Sequence, residues 1–143
     1  MNDKANILIV DDEEVVRLSH QRSLESGDCH TRAAEDGRQA IQVMEQDPAD
    51  VILLDLRMPG LDGMDVLKTI KQRWPESEVV VITGYPCIET AKEAVRLGAF
   101  NYLTKPLDPD EVMKVANDAM TQKRWALRSD RDDQHNKTEF TTH

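Results

Sequence analysis

The chain has 143 residues, 31% of them charged and 39% hydrophobic, which suits one soluble globular domain. Its net charge of -9 argues against a nucleic-acid-binding face, because phosphate backbones need a basic surface. No apolar stretch approaches the roughly 20 residues that cross a bilayer, and Met1-Asn2-Asp3-Lys4 lacks a signal-peptide core, so a cytoplasmic protein is expected.

Segments of two hydrophobic periods alternate along the chain. Residues 5–10 form a continuous apolar run, the pattern of a strand buried on both faces. From Glu13 to about Ser26, Val15, Val16, Leu18 and Leu24 recur among charges and predict an amphipathic helix, which Gly27 stops. A short strand follows over His30–Ala34, then Asp36-Gly37 turn chemistry, then a helix carrying Ala40, Ile41, Val43 and Met44. Val51 to Asp55 is the third strand. After the loop Met58-Pro59-Gly60-Leu61-Asp62-Gly63, a helix carries Met64, Val66, Leu67 and Ile70 and ends at Trp74-Pro75. Val79 to Ile82 is the fourth strand. The next helix is expected to present Ile88, Ala91, Ala94, Val95 and Leu97 as its apolar face and to stop at Gly98. Asn101 to Thr104 is a short fifth strand. The last helix runs from about Asp108 to Leu127, with Pro109 in its first turn, where the missing N–H is unneeded.

Repeated strand-then-helix units with right-handed crossovers predict an α/β fold, a doubly wound parallel sheet with helices on both faces. The domain is expected to occupy residues 1–128. Residues 129–143 are almost wholly polar and read as a disordered tail. Cys29 and Cys87 have no metal-type spacing and read as reduced structural residues. None of His20, His30, His135 and His143 forms a zinc-type pair.

Charged residues sit where strands end. Asp11 and Asp12 follow the first strand, Asp55 the third, and Lys105-Pro106 the fifth, while Thr83-Gly84 ends the fourth. In a parallel sheet these ends share one edge, where ligands bind. Adjacent aspartates repel and are hard to bury. A helix cap explains one of them but not both plus Asp55. A hard divalent cation, Mg²⁺ or Mn²⁺, explains the set, since it takes carboxylate and phosphate oxygens. Asp55 can then act as nucleophile towards an activated phosphorus, with Lys105 neutralising the phosphoryl oxygens. Thr83 can hydrogen-bond one such oxygen, and Gly84 gives it room and a backbone N–H.

These residues make the chain resemble response-regulator receiver domains of two-component signalling. The resemblance covers about Ala5 to Leu127 and rests on Ile9-Val10-Asp11-Asp12-Glu13, Leu54-Asp55-Leu56-Arg57-Met58-Pro59-Gly60, Ile82-Thr83-Gly84 and Tyr102-Leu103-Thr104-Lys105-Pro106. It implies a flavodoxin-like fold with strand order 2-1-3-4-5. It implies that Asp55 accepts a phosphoryl group from a sensor histidine kinase or a histidine phosphotransfer protein. Asp12 and Asp55 would ligate Mg²⁺ directly, Asp11 mostly through water, and the Arg57 carbonyl oxygen would complete the protein ligands. Thr83 and Lys105 would hold the phosphoryl group, so the domain would catalyse its own phosphorylation and dephosphorylation. Thr83 and Tyr102 would be switch residues, repacking the fourth helix, fifth strand and fifth helix. Arg57 and Tyr85 would flank the attacking water and tune the phosphoryl lifetime.

The stretch from Thr83 to Ala91 further resembles receivers of NtrC-type enhancer-binding transcription activators, which implies transcription regulation as output. The kinase would dock on the first helix and the loop after the fifth strand, including Val15, Leu18 and Pro106. A homodimer through the fourth helix, fifth strand and fifth helix is a further implied partner, and Trp125 and Leu127 could extend it.

Competing readings fare worse. A haloacid-dehalogenase-type phosphatase needs an Asp two residues after its nucleophile, and Glu13, Glu14 and Arg57 stand there instead. A nucleotide enzyme would need a Gly-rich phosphate loop, and none occurs. A flavodoxin-like electron carrier would leave the three carboxylates unexplained. A degenerate receiver would normally have lost Asp55 or Lys105.

Overall fold

The computed structural model describes residues 4–25, 27, 29–56 and 62–141, with side chains through residue 126. Its elements are β1 (Ala5–Val10), α1 (Glu14–Glu25), β2 (Cys29–Ala34), α2 (Gly37–Gln46), β3 (Val51–Leu54), α3 (Gly63–Arg73), β4 (Glu78–Thr83), α4 (Ile88–Arg96), β5 (Asn101–Thr104) and α5 (Pro109–Thr141). All strand pairs are parallel, in the order β2-β1-β3-β4-β5, the flavodoxin-like doubly wound sheet expected.

Alternation along the central strands divides the core into two halves. Leu8, Val10, Ile52, Leu54, Val79 and Val81 pack towards Ala40 and Met44 of α2, Val66, Leu67 and Ile70 of α3, and Ala94 of α4. Ile7, Ile9, Val51, Leu53, Val80 and Ile82 pack towards Leu24 of α1 and Val112, Val115, Ala116 and Ala119 of α5. Both faces are covered, so β1, β3 and β4 read as continuous apolar runs. Each fully buried Leu or Ile stabilises the fold by about 1.5–3 kcal/mol.

Helix ends follow local chemistry. Asp36 caps α2 by accepting from the Gln39 N–H, and Asp62 caps α3 by accepting from the Met64 N–H. Gly98 terminates α4 at φ 99°, with Gly98 N–H on the Val95 carbonyl and Ala99 N–H on the Ala94 carbonyl. Only a residue that tolerates positive φ closes a helix this way.

The structure adds detail to the sequence expectation in three places. The apolar residues of α4 do not form an inner face: Ile88 is 70% and Val95 67% exposed, and only Ala94 is buried. Periodicity locates a helix stripe but not what covers it. In α1, His20, Ser23 and Leu24 turn inward, while Val15 and Leu18, expected on the docking surface, are exposed. Finally, α5 is one helical span from Pro109 to Thr141, longer than the helix expected to end near Leu127. Neither Pro nor Gly follows Pro109, so no strong breaker interrupts the helical backbone. No helix among the described residues is long and apolar enough to cross a membrane.

Candidate functional site

The first residue past three of the strands stays tied to the sheet. Asp11 N–H donates to the Ala34 carbonyl at 3.1 Å, Asp55 N–H to Val10 at 2.9 Å and Lys105 N–H to Thr83 at 2.8 Å. Each acceptor is the last residue of its own strand, so the strand ladders fix these three backbones at one edge. The following peptide, Lys105–Pro106, is cis.

The side chains meet there. The Lys105 ammonium lies 2.7 Å from Asp11 Oδ2, 3.2 Å from Asp55 Oδ2 and 3.9 Å from Glu13 Oε1. Carboxylate oxygens of Asp11, Asp12 and Asp55 all lie within 4.8 Å of one another. Asp11 and Asp55 are only 2% and 4% exposed, whereas Asp12 faces solvent. The carboxylates outnumber the one ammonium beside them, and hard oxygen donors suit a divalent cation. The donor set therefore fits the expected Mg²⁺, through Asp11, Asp12 and Asp55. Burial pulls the Lys105 ammonium towards neutrality, but the hydrogen bond to Asp11 and the charges of Asp55 and Asp11 outweigh it, so its pKa is raised.

Two neighbours set the backbone of the site. Asp11 Oδ1 accepts from the Glu13 N–H at 2.9 Å, so Asp11 also orders the entry to α1. Arg17 donates to the Asp11 carbonyl at 2.7 Å. Gly63 packs so closely that a Cβ on it would come 2.5 Å from Leu56 Cα, directly beside Asp55. In the sequence Gly63 is one of the glycines that punctuate the loop after Asp55, and Arg17 is one charge among several on α1. The Gly-rich loop after Asp55 was the available signal for the first, and no local pattern marks the second.

Thr83 is buried at the end of β4, and its Oγ1 accepts from the Tyr85 N–H at 3.1 Å. Gly84 is not demanded by the protein's own packing, since a Cβ there would meet nothing nearer than Lys105 Cδ at 4.0 Å. Tyr85 is 66% exposed. Tyr102 is half-buried against the core on the α2–α4 side, and its hydroxyl lies 2.7 Å from Thr90 Oγ1. Arg57, expected as a carbonyl ligand and lifetime residue, lies outside the described residues.

An acidic triad, a lysine and a buried threonine on the carboxyl edge of this sheet are the features of receivers. The chain belongs to the response-regulator receiver family: the response regulator receiver domain matches residues 7–117. Among curated relatives it is 34% identical over 121 residues to the DNA-binding transcriptional regulator NtrC of Proteus hauseri, covering 85% of this chain and 26% of that protein. It is 39% identical over 114 residues to the regulatory protein AtoC of Escherichia coli, covering 80% of this chain and 25% of that protein. The NtrX structure from Brucella abortus superposes with a TM-score of 0.84 at 33% identity, covering 90% of this chain and 29% of that one. A CheY-like receiver from Methanospirillum hungatei, at 22% identity, shares the fold with a TM-score of 0.83, covering 87% of this chain and 99% of its own. The chain thus spans about a quarter of the length of the curated relatives it matches.

Proposed function

We propose that this receiver accepts a phosphoryl group on Asp55 from the phosphohistidine of a sensor kinase or phosphotransfer protein. The convergence of Asp11, Asp12, Asp55 and Lys105 on one edge is the observation that carries this reading. Asp55 Oδ attacks phosphorus, the N–P bond of the donor breaks as the O–P bond forms, and the donor imidazole keeps the electron pair and takes up a proton. Lys105 offers its ammonium to the phosphoryl oxygens, and Thr83 its hydroxyl. Mg²⁺, held by Asp11, Asp12, Asp55 and the Arg57 carbonyl, would supply charge neutralisation of those oxygens. Hydrolysis of the acyl phosphate by water makes dephosphorylation a property of the same site, whose phosphoryl lifetime Arg57 and Tyr85 would tune.

Partner and output readings follow from the surface and the relatives. Exposed Val15 and Leu18 of α1 border an open groove of about 470 Å³ that reaches Pro109, which supports kinase docking on α1 and the segment after β5. The names of NtrC and AtoC support a regulatory, transcriptional output, exerted through a longer protein or a partner. Switching would act through Thr83 and Tyr102 on α4, β5 and α5, the surface through which a homodimer would also form. We assign residues 1–128 to the receiver unit and a cytoplasmic location to the protein.

Incubation with acetyl phosphate and Mg²⁺ followed by intact mass measurement tests the central step. One hydroxylamine-labile phosphoryl group is expected on the wild type and none on Asp55→Asn. A wild type that stays unmodified, or an Asp55→Asn variant modified equally, overturns the assignment.

A further inference from the structure

The N-terminus of α4 is held from β5 rather than by its own cap. Cys87 occupies the cap position but its side chain makes no capping hydrogen bond. Instead the Cys87 N–H donates to the Tyr102 hydroxyl at 3.3 Å. The Tyr102 and Thr90 hydroxyls lie 2.7 Å apart, and Thr90 donates to the Cys87 carbonyl at 3.1 Å. One proton arrangement satisfies all three contacts: Thr90 donates to Cys87, Tyr102 donates to Thr90, and Tyr102 accepts from Cys87.

This cluster carries unusual weight because α4 is otherwise lightly anchored. Ala94 is its only buried residue, and Ile88 and Val95 point their apolar surface to solvent. An element with few buried contacts shifts easily, so polar contacts at its end decide where it rests. The same segment begins at Thr83, whose Oγ1 accepts from the Tyr85 N–H.

We propose that Thr90 is a positioning residue that latches Tyr102 to α4 in the unphosphorylated receiver and thereby lowers the apparent affinity of Asp55 for its phosphoryl group. This rests on the reading of Asp55 as the acceptor. Drawing the Thr83 hydroxyl towards a phosphoryl oxygen strains the connection from Thr83 to Cys87, and the Thr90–Tyr102 bond resists at its far end. Ligand binding must then shift a two-state equilibrium that the latch biases towards rest.

The test is a beryllofluoride titration with Mg²⁺ on the full chain, comparing wild type with Thr90→Val, Thr90→Ser, Tyr102→Phe and the Thr90→Val/Tyr102→Phe double variant. The Thr90–Tyr102 hydrogen bond, the contact that both substitutions remove, corresponds to about a 3- to 10-fold change in the half-saturating concentration. Thr90→Val and Tyr102→Phe should each tighten binding by that factor, and Thr90→Ser should restore the wild-type value. The double variant should bind no tighter than either single one. Amide exchange without beryllofluoride should quicken in α4 of Thr90→Val while the amides of β1 and β3 keep their rates. Unchanged or weaker binding by Thr90→Val, or additive effects in the double variant, overturns the latch. A wild type that does not bind beryllofluoride refutes the Asp55 reading instead, and the exchange comparison on α4 then decides the latch alone.

Discussion

Replacing Lys105 by Met removes the ammonium that holds Asp11 and Asp55 together while keeping much of the side-chain bulk. The two carboxylates are 2% and 4% exposed and the lysine side chain 17% exposed, so the cluster is closer to a buried pair than to a surface one. Breaking a buried pair costs about 3–5 kcal/mol, and an exposed one about 0–1 kcal/mol. Partial access of water to Lys105 places the expected loss near 2 kcal/mol without a divalent cation, or roughly 6–8 °C in Tm. Saturating Mg²⁺ contributes about 2.7 kcal/mol at a concentration of 100 Kd. It should narrow the deficit of Lys105→Met, because carboxylates that have lost the ammonium bind the dication more tightly than those of the wild type. Thermal unfolding of wild type and Lys105→Met, each in EDTA and in excess Mg²⁺, checks this. An identical Tm in EDTA, or a deficit that Mg²⁺ leaves untouched, would refute the view that Lys105 is the internal counter-ion of the acidic cluster.

Gly63→Ala places a Cβ 2.5 Å from Leu56 Cα, against backbone that cannot swing away, and should cost about 1–3 kcal/mol in urea unfolding. It should also slow phosphorylation by acetyl phosphate, since Leu56 follows Asp55. Burial lowers the pKa of His20 below its ordinary 6.5, against the opposing charge of Asp11. Below pH 6.5 the unfolded chain therefore binds a proton that folded His20 refuses, and stability falls as the pH drops from there towards the folded pKa. His20→Leu should flatten the change in unfolding free energy between about pH 7.5 and 5.5, and an unaltered slope would exclude His20 as its source. Tyr85 is 66% exposed, so Tyr85→Ala should change stability by no more than about 0.5 kcal/mol. The same variant should lose its acyl phosphate several-fold faster, as followed by decay of the phosphorylated mass, and an unchanged decay removes Tyr85 from the water path.

Much of the fold was legible because it rests on local rules. Short apolar runs such as Val51–Leu54, bounded by polar residues, fit strands covered on both faces, and Asp36-Gly37, Trp74-Pro75 and Gly98 punctuate the chain by backbone chemistry. The candidate site was legible for a related reason. Strand ends of one polarity share an edge in a parallel sheet, so Asp11, Asp55, Thr83 and Lys105 are brought together by topology once the strands are assigned.

The order of elements, the two-sided core and the residue types gathered at the carboxyl edge follow from periodicity and turn chemistry, which are local properties of the chain. Which stripe of each helix is covered depends on how the elements pack. Packing leaves Ile88 and Val95 of α4 and Val15 of α1 outside and brings His20 inside, since burial depends on what lies opposite. It also decides pairings between residues far apart in the chain. Lys105 bridges two carboxylates, Gly63 touches Leu56, and Tyr102 holds Thr90, each through a distance that no spacing in the sequence encodes.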